Sequence, residues 1–145
     1  MEDLLQYENR DNLYQFLIDD FEMIKIDERY YPEAFGNFSV VLSGQNFRLS
    51  YFSDRSFLDV DIASELEPEQ RFPLSSVKDF LFNSETTNQE ENVSNDKRIR
   101  ELNDFLKNNF VEISVLFSTP NYYETKKKIN ELLRKQFISR NPGIL

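Results

Sequence analysis

The sequence contains no cysteine, no histidine and no tryptophan, and it has only three glycines. Without cysteine or histidine the chain has no thiol nucleophile, no imidazole acid or base and no Cys/His zinc site. The scarcity of glycine removes the glycine-rich loops that hold phosphate groups. Most familiar enzyme classes are therefore excluded, and we expect neither a cofactor nor a metal ion.

Long hydrophobic runs are also missing. The longest apolar run, from Phe38 to Leu42 if Ser39 is allowed, is far shorter than the ~20 residues of a membrane-spanning helix. The first eight residues lack the basic and apolar regions of a secretory signal. We therefore expect a cytoplasmic chain that contacts no membrane. A length of 145 residues favours one domain, 1–145, that is large enough to bury a hydrophobic core.

Positive charge is in short supply, with 17 lysines and arginines against 26 acidic residues and a net charge of -9. Direct contact with nucleic acid is not expected, because binding phosphates requires clustered lysine and arginine. An acidic surface instead suits a basic protein partner, or it serves solubility alone. The 14 phenylalanines and 7 tyrosines indicate a folded chain rather than a disordered one.

Hydrophobic periodicity predicts the order of the structural elements. In chain order these are a helix from Asp11 or Asn12 to Ile24, a loop or short strand at 25–32, strands at 38–42, 47–52 and 57–62, a short helix at 74–82, a long helix at about 96–117 and a last helix capped by Thr119. The order predicts an α+β fold, in which a three- to four-stranded antiparallel meander carries the N-terminal helix and three C-terminal helices on one face.

Two segments are harder to interpret. Segment 83–96 holds a single apolar residue, so we expect a mobile surface loop there. In the second half of 96–117, Val111, Ile113 and Val115 alternate with other residues, which leaves a strand open as the alternative to a helix.

Carboxylates are the strongest candidates for a partner-binding site. Asp59 and Asp61 lie two residues apart on a predicted strand, so they project from the same face about 7 Å apart. An acidic run follows them around a proline, and clustered negative charge attracts a basic partner and speeds association. The predicted partner-binding residues are Asp54, Asp59, Asp61, Glu65, Glu67 and Glu69.

Other interpretations of these residues stay open. The strand carboxylates fit a solvated face, partly paired with Arg48 across the hairpin or with Arg55 in the turn. A carboxylate-dependent hydrolase is a further alternative, in which the three aspartates hold Mg²⁺ or two of them form an acid/base pair. Lys126, Lys127 and Lys128 are interpreted as a solvated helix face, because three consecutive residues spread around a helix and Glu124 and Glu131 interrupt the wider basic patch.

The segments FGNFSVVL at 35–42, FRLSY at 47–51 and SDRSFLDVDI at 53–62 resemble small bacterial immunity proteins of polymorphic or contact-dependent toxin systems. Many of these have an Asp-Arg turn between two strands, matched here by Asp54 and Arg55, and then a loop and a short helix, matched by 74–82. The resemblance implies a non-enzymatic protein that binds and blocks a cognate toxin domain, and it carries over no catalytic residue. An acidic, phosphate-mimicking inhibitor of a nucleic-acid-binding protein is the alternative.

Overall fold

The computed structural model describes residues 6–83, 94–141 and 143. After a 3₁₀ turn at Tyr7–Asn9, the elements are α1 (Asp11–Phe21), β1 (Ile24–Tyr31), β2 (Asn37–Ser43), β3 (Phe47–Asp54), β4 (Phe57–Ser64), β5 (Phe72–Pro73), α2 (Leu74–Leu81), α3 (Asn95–Leu116) and α4 (Tyr122–Arg140). The predicted α+β fold, with one helix before the sheet and three after it, is confirmed. Segment 84–93, the bulk of the expected mobile loop, lies outside the described residues.

The sheet is an antiparallel meander in which each strand pairs with its neighbour in sequence, in the order β1-β2-β3-β4-β5. The alternating sequence pattern explains the three central strands, because successive side chains of a strand point to opposite faces of the sheet, and here one of these faces is buried. Val40, Tyr51 and Val60 stand opposite one another across β2, β3 and β4, and all three are fully buried. The sheet has five strands rather than three or four, because β1 and the two-residue β5 extend it on either side.

The first helix ends earlier than its apolar spacing predicts. Glu22 adopts a left-handed backbone with φ of 58°, and the N–H of Met23 donates to the carbonyl of Leu17, which terminates α1 at Phe21. Ile24, predicted to lie on the buried stripe of the helix, instead opens β1 and is 66% exposed. The segment predicted as a loop or short strand is therefore mostly a strand of eight residues.

Helix α3 is kinked at Asn109, whose backbone (φ -130°, ψ 18°) is not helical, but the residues on both sides of the kink are helical, so the strand alternative for its second half is wrong. Its buried residues, among them Leu102 and Leu106, pack over the sheet, whereas Phe110 is only partly buried and stacks on Phe21 at 4.4 Å between ring centroids. Ser94 caps the helix by accepting a hydrogen bond from the N–H of Lys97.

Helix α4 begins at Tyr122 after Asn121, so Thr119 is not its cap. It packs against α2, and its buried Tyr122 and Ile129 belong to the same hydrophobic core as α1, α3 and the sheet. No helix in the described part of the chain is long and apolar enough to cross a membrane.

Candidate functional site

Asp59 and Asp61 project from the face of β4 opposite the helices. Leu58, Val60 and Ile62 alternate with them and are fully buried against the helix side. Register places Phe52 of β3 across from Asp59 and Ser50 across from Asp61. We call this face of β2, β3 and β4 the open face; its residues are Ser39, Val41, Ser50, Phe52, Asp59 and Asp61.

Both carboxylates are only partly exposed, and this burial raises their pKa values. Burial and the neighbouring negative charge of Asp59 raise the pKa of Asp61 to about 6, an effect that Arg71 only partly offsets. Burial also raises the pKa of Asp59, although the backbone N–H of Val60 donates to its Oδ1 at 2.9 Å and Arg98 opposes the shift. Near neutral pH the open face therefore holds two adjacent, poorly solvated negative charges.

The two carboxylates lack the ion pairs that the sequence suggested. Arg48 pairs with Glu65, its Nε 2.9 Å from Oε2, and Arg55 lies 4.0 Å from Asp54. Neither arginine pairs with Asp59 or Asp61, so the expected pairing with Arg48 across the hairpin is wrong, and the pairing in the turn is formed by Asp54 alone. Among the described residues, Asp61 makes no hydrogen bond and no salt bridge.

Two of the six predicted partner-binding residues are engaged inside the protein. Glu65 accepts hydrogen bonds from Arg48 and from the hydroxyl of Ser43, 2.5 Å away. Glu67 accepts hydrogen bonds from Tyr122 and Lys126, each 2.7 Å from its Oε1, and so ties the loop after β4 to α4.

These contacts also correct the interpretation of the α4 lysines. Lys126 is not simply a solvated residue, because its ammonium binds Glu67 and its side chain is 28% exposed. Hydrogen bonds from Lys126 and Tyr122 lower the pKa of Glu67. The sequence held no sign of this pairing, because the two residues lie 59 positions apart.

The remaining two predicted residues stand apart from the strand pair. Asp54 is exposed at the end of β3 and pairs in register with Phe57, four positions before Asp61, or roughly 13 Å along the strand. Glu69 is exposed in the loop before β5. The described residues contain no group of three side chains that could hold a metal ion. The three aspartates of the hydrolase alternative therefore do not form one site.

The structure adds three residues that the site prediction missed. Phe52 lies across from Asp59, Phe57 is 48% exposed, and the guanidinium of Arg98 stands over the Phe57 ring at 4.2 Å. Arg98 also donates two hydrogen bonds to the carbonyl of Leu58. Alternation already placed Phe52 on the same sheet face as Ser50, but Arg98 comes from α3 and no local pattern could have found it.

No family model, curated protein or solved structure matches this chain significantly. The resemblance to immunity proteins therefore stays a prediction, and a function has to be argued from the open face itself.

Proposed function

We propose that this chain is a non-enzymatic, cytoplasmic binding protein that neutralises a cognate bacterial toxin by direct contact. The observation that supports it is the pair Asp59 and Asp61, two neighbouring carboxylates that are partly buried on the sheet face opposite the described helices. Like charges this close disfavour one another, and burial disfavours each of them. A lysine or arginine from a basic partner would relieve both effects at once.

The surroundings of the pair fit a protein contact. Phe52 and the half-exposed Phe57 supply apolar area beside the carboxylates, while Ser50 is nearly covered by its neighbours. Interfaces combine apolar anchors with a few charges in this manner, and an anionic surface speeds encounter with a basic protein. The net charge of -9 of the whole chain also attracts a basic partner.

Protection of bacterial growth tests the function. The products of the genes adjacent to that of this chain are first screened for toxicity, and a toxic product is then expressed together with the wild-type chain or with a variant. We expect the wild type to restore growth and the double variant Asp59→Asn with Asp61→Asn to fail. The matched control removes two carboxylates from α3, by Glu101→Gln with Asp104→Asn, both of which are exposed. That control should protect as the wild type does.

The outcomes separate the function from its surface. If the wild-type chain gives no protection, the proposed function is wrong. If the open-face variant and the control protect equally, toxin neutralisation stands, but the open face is not the contact surface.

Binding kinetics give a second readout on the same proteins. Charges that steer encounter act mainly on the association rate and are screened by salt. We expect the open-face variant to associate more slowly at low ionic strength, with the difference shrinking at high salt. Affinity of the wild type should rise with pH through about 6, because below that value a basic partner must displace the proton on Asp61. An affinity independent of pH across this range contradicts a role for Asp61.

A further inference from the structure

Strand β1 forms one edge of the sheet, and its outer side has no neighbouring strand among the described residues. The other edge, β5, is only two residues long, contains Pro73 and leads directly into α2. Short edges with proline are protected from pairing with other chains, whereas a long unpaired strand is a template for it. The two edges of this sheet are therefore not equivalent.

Large apolar side chains are exposed along β1. Ile24 is 66% exposed, Ile26 46%, Tyr30 41% and Tyr31 49%. A register shift between Lys25 and Asp27 marks a bulge near the start of the strand, and from Asp27 to Tyr31 the pairing with β2 is regular. The bulge interrupts only the first three residues of the edge, and no described residue pairs with the outer side of β1 from Asp27 to Tyr31.

Opposite charges are arranged about the centre of the strand. Asp27 and Arg29 flank Glu28, and within one chain they form an exposed pair at 3.2 Å. When two copies of a strand pair antiparallel about a two-fold axis, residues at equal distances from the axis on opposite sides face each other. With the axis at Glu28, Asp27 of each chain therefore lies opposite Arg29 of the other, which gives two pairs of opposite charge. An axis at Asp27 or at Arg29 would instead oppose like charges.

Glu28 itself does not prevent this register. Its carboxylate is held by Arg10 and lies 3.5 Å from the Lys25 ammonium, so each chain already neutralises it. Tyr30 lies in the regular part of the strand and is 41% exposed, although one side of its ring already stacks on Tyr7 at 3.9 Å between ring centroids. The four charges of β1 also sum to zero, in contrast to the net charge of -9 of the chain.

We propose that β1 is a dimerisation edge, where a second copy of this chain pairs antiparallel with its two-fold axis at Glu28 and extends the sheet across both copies. Self-complementary charge favours a second copy over a basic partner, because a basic strand would meet Arg29 and Lys25 as well as the acidic residues. The contact is small, so the dimer is concentration-dependent. The inference does not depend on the proposed function, because it rests on the edge of β1, although Asp27 and Arg29 lie on the same side of the sheet as the open face, beside Val41 and Ser39.

Charge reversal on the full-length chain tests the proposal by sedimentation equilibrium between about 1 µM and 1 mM. We expect the wild type to dimerise within this range. Asp27→Arg and Arg29→Asp should each weaken dimerisation at least tenfold, because each creates two like-charged contacts. An equimolar mixture of the two variants should associate again, since every opposed pair is then of opposite sign. Asp104→Arg, an exposed reversal on α3, is the control and should dimerise as the wild type does.

Three results would overturn the proposal. These are a wild type that stays monomeric at the highest concentration, a dimer that neither reversal weakens, and two monomeric variants that do not associate when mixed. Circular dichroism and thermal melting verify that each variant is folded. Both residues are exposed, so the reversals should leave the fold intact.

Discussion

The phenolic oxygen of Tyr51 donates to Oδ1 of Asn103 at 2.6 Å, and the hydrogen bond lies inside the core between β3 and α3. The amide nitrogen of the same Asn103 donates to the carbonyl of Leu13 at 2.9 Å, which brings α1 into the arrangement. One asparagine therefore satisfies a buried hydroxyl and a backbone carbonyl from two other elements. Burial raises the pKa of Tyr51, so the phenol remains a hydrogen-bond donor at physiological pH.

We expect Asn103→Ala to lower the free energy of unfolding by about 1 to 3 kcal/mol, because it leaves two buried polar groups without partners. Tyr51→Phe removes the hydroxyl, and in the Asn103→Ala background it should have a smaller effect than in the wild type. Urea denaturation of the two single variants and the double variant measures this coupling. Strictly additive effects would contradict the hydrogen bond.

Leu106 is fully buried in the core beneath α3, so Leu106→Ala should create a cavity and lower the free energy of unfolding by about 2 to 5 kcal/mol. Val111 on the same helix is 75% exposed, and Val111→Ala should change stability by less than about 0.5 kcal/mol. Denaturant midpoints of both variants provide the comparison. An unchanged midpoint for Leu106→Ala would show that α3 does not belong to the core.

Asp61 should make stability dependent on pH. Its pKa in the folded protein is about 6, above the ordinary value of 3.8, so the folded state favours the protonated carboxyl. The loss of stability caused by ionising Asp61 in the folded protein is absent below pH 3.8, grows between pH 3.8 and about 6, and is fully present above about 6. At pH 7, Asp61→Asn should therefore stabilise the protein by about 1 to 3 kcal/mol, less if water screens the site well.

Thermal melts of the Asp61→Asn variant and the wild type from pH 4 to pH 8 measure this difference. We expect the two curves to converge near pH 4 and to separate as pH rises. Asp104→Asn, exposed on α3, should show no comparable separation. A difference that stays constant with pH would show that Asp61 is well solvated. If Asp61→Asn is more stable than the wild type but no longer protects against a toxin, misfolding is excluded as the reason for the lost protection.

Glu67 should contribute to stability through its contacts with Tyr122 and Lys126 rather than through partner binding. We expect Glu67→Gln to lower the melting temperature by roughly a few degrees at neutral pH. The pKa of Glu67 is lowered in the folded state, so its contribution should disappear as pH falls through that lowered value. Glu69→Gln, an exposed change two residues away, should have no effect on the melt. Equal melts for both variants would contradict the contact.

Alternation was enough to predict β2, β3 and β4, because a period of two assigns every residue of a strand to one face. It was also enough to place Asp59 and Asp61 side by side away from Val60. The sequence left β1 undecided between a loop and a short strand, because its charged residues and its bulge break the alternation. The end of α1 escaped prediction for a similar reason, since Glu22 can adopt a left-handed backbone that no apolar spacing reveals.

The sequence by itself determined the α+β class, the order of the central strands, the presence of helices after residue 95 and the acidic net charge, although it left a strand open for the second half of the long helix. These follow from periodicity and composition, which are local properties. Only the tertiary structure decided which carboxylates are free. Glu67 contacts Lys126 and Glu65 contacts Arg48 through long-range packing, whereas Asp61 has no hydrogen-bond or salt-bridge partner in the described part of the chain and is partly desolvated. Charge pairing and desolvation depend on distances in space, and the spacing of residues along the chain does not contain them.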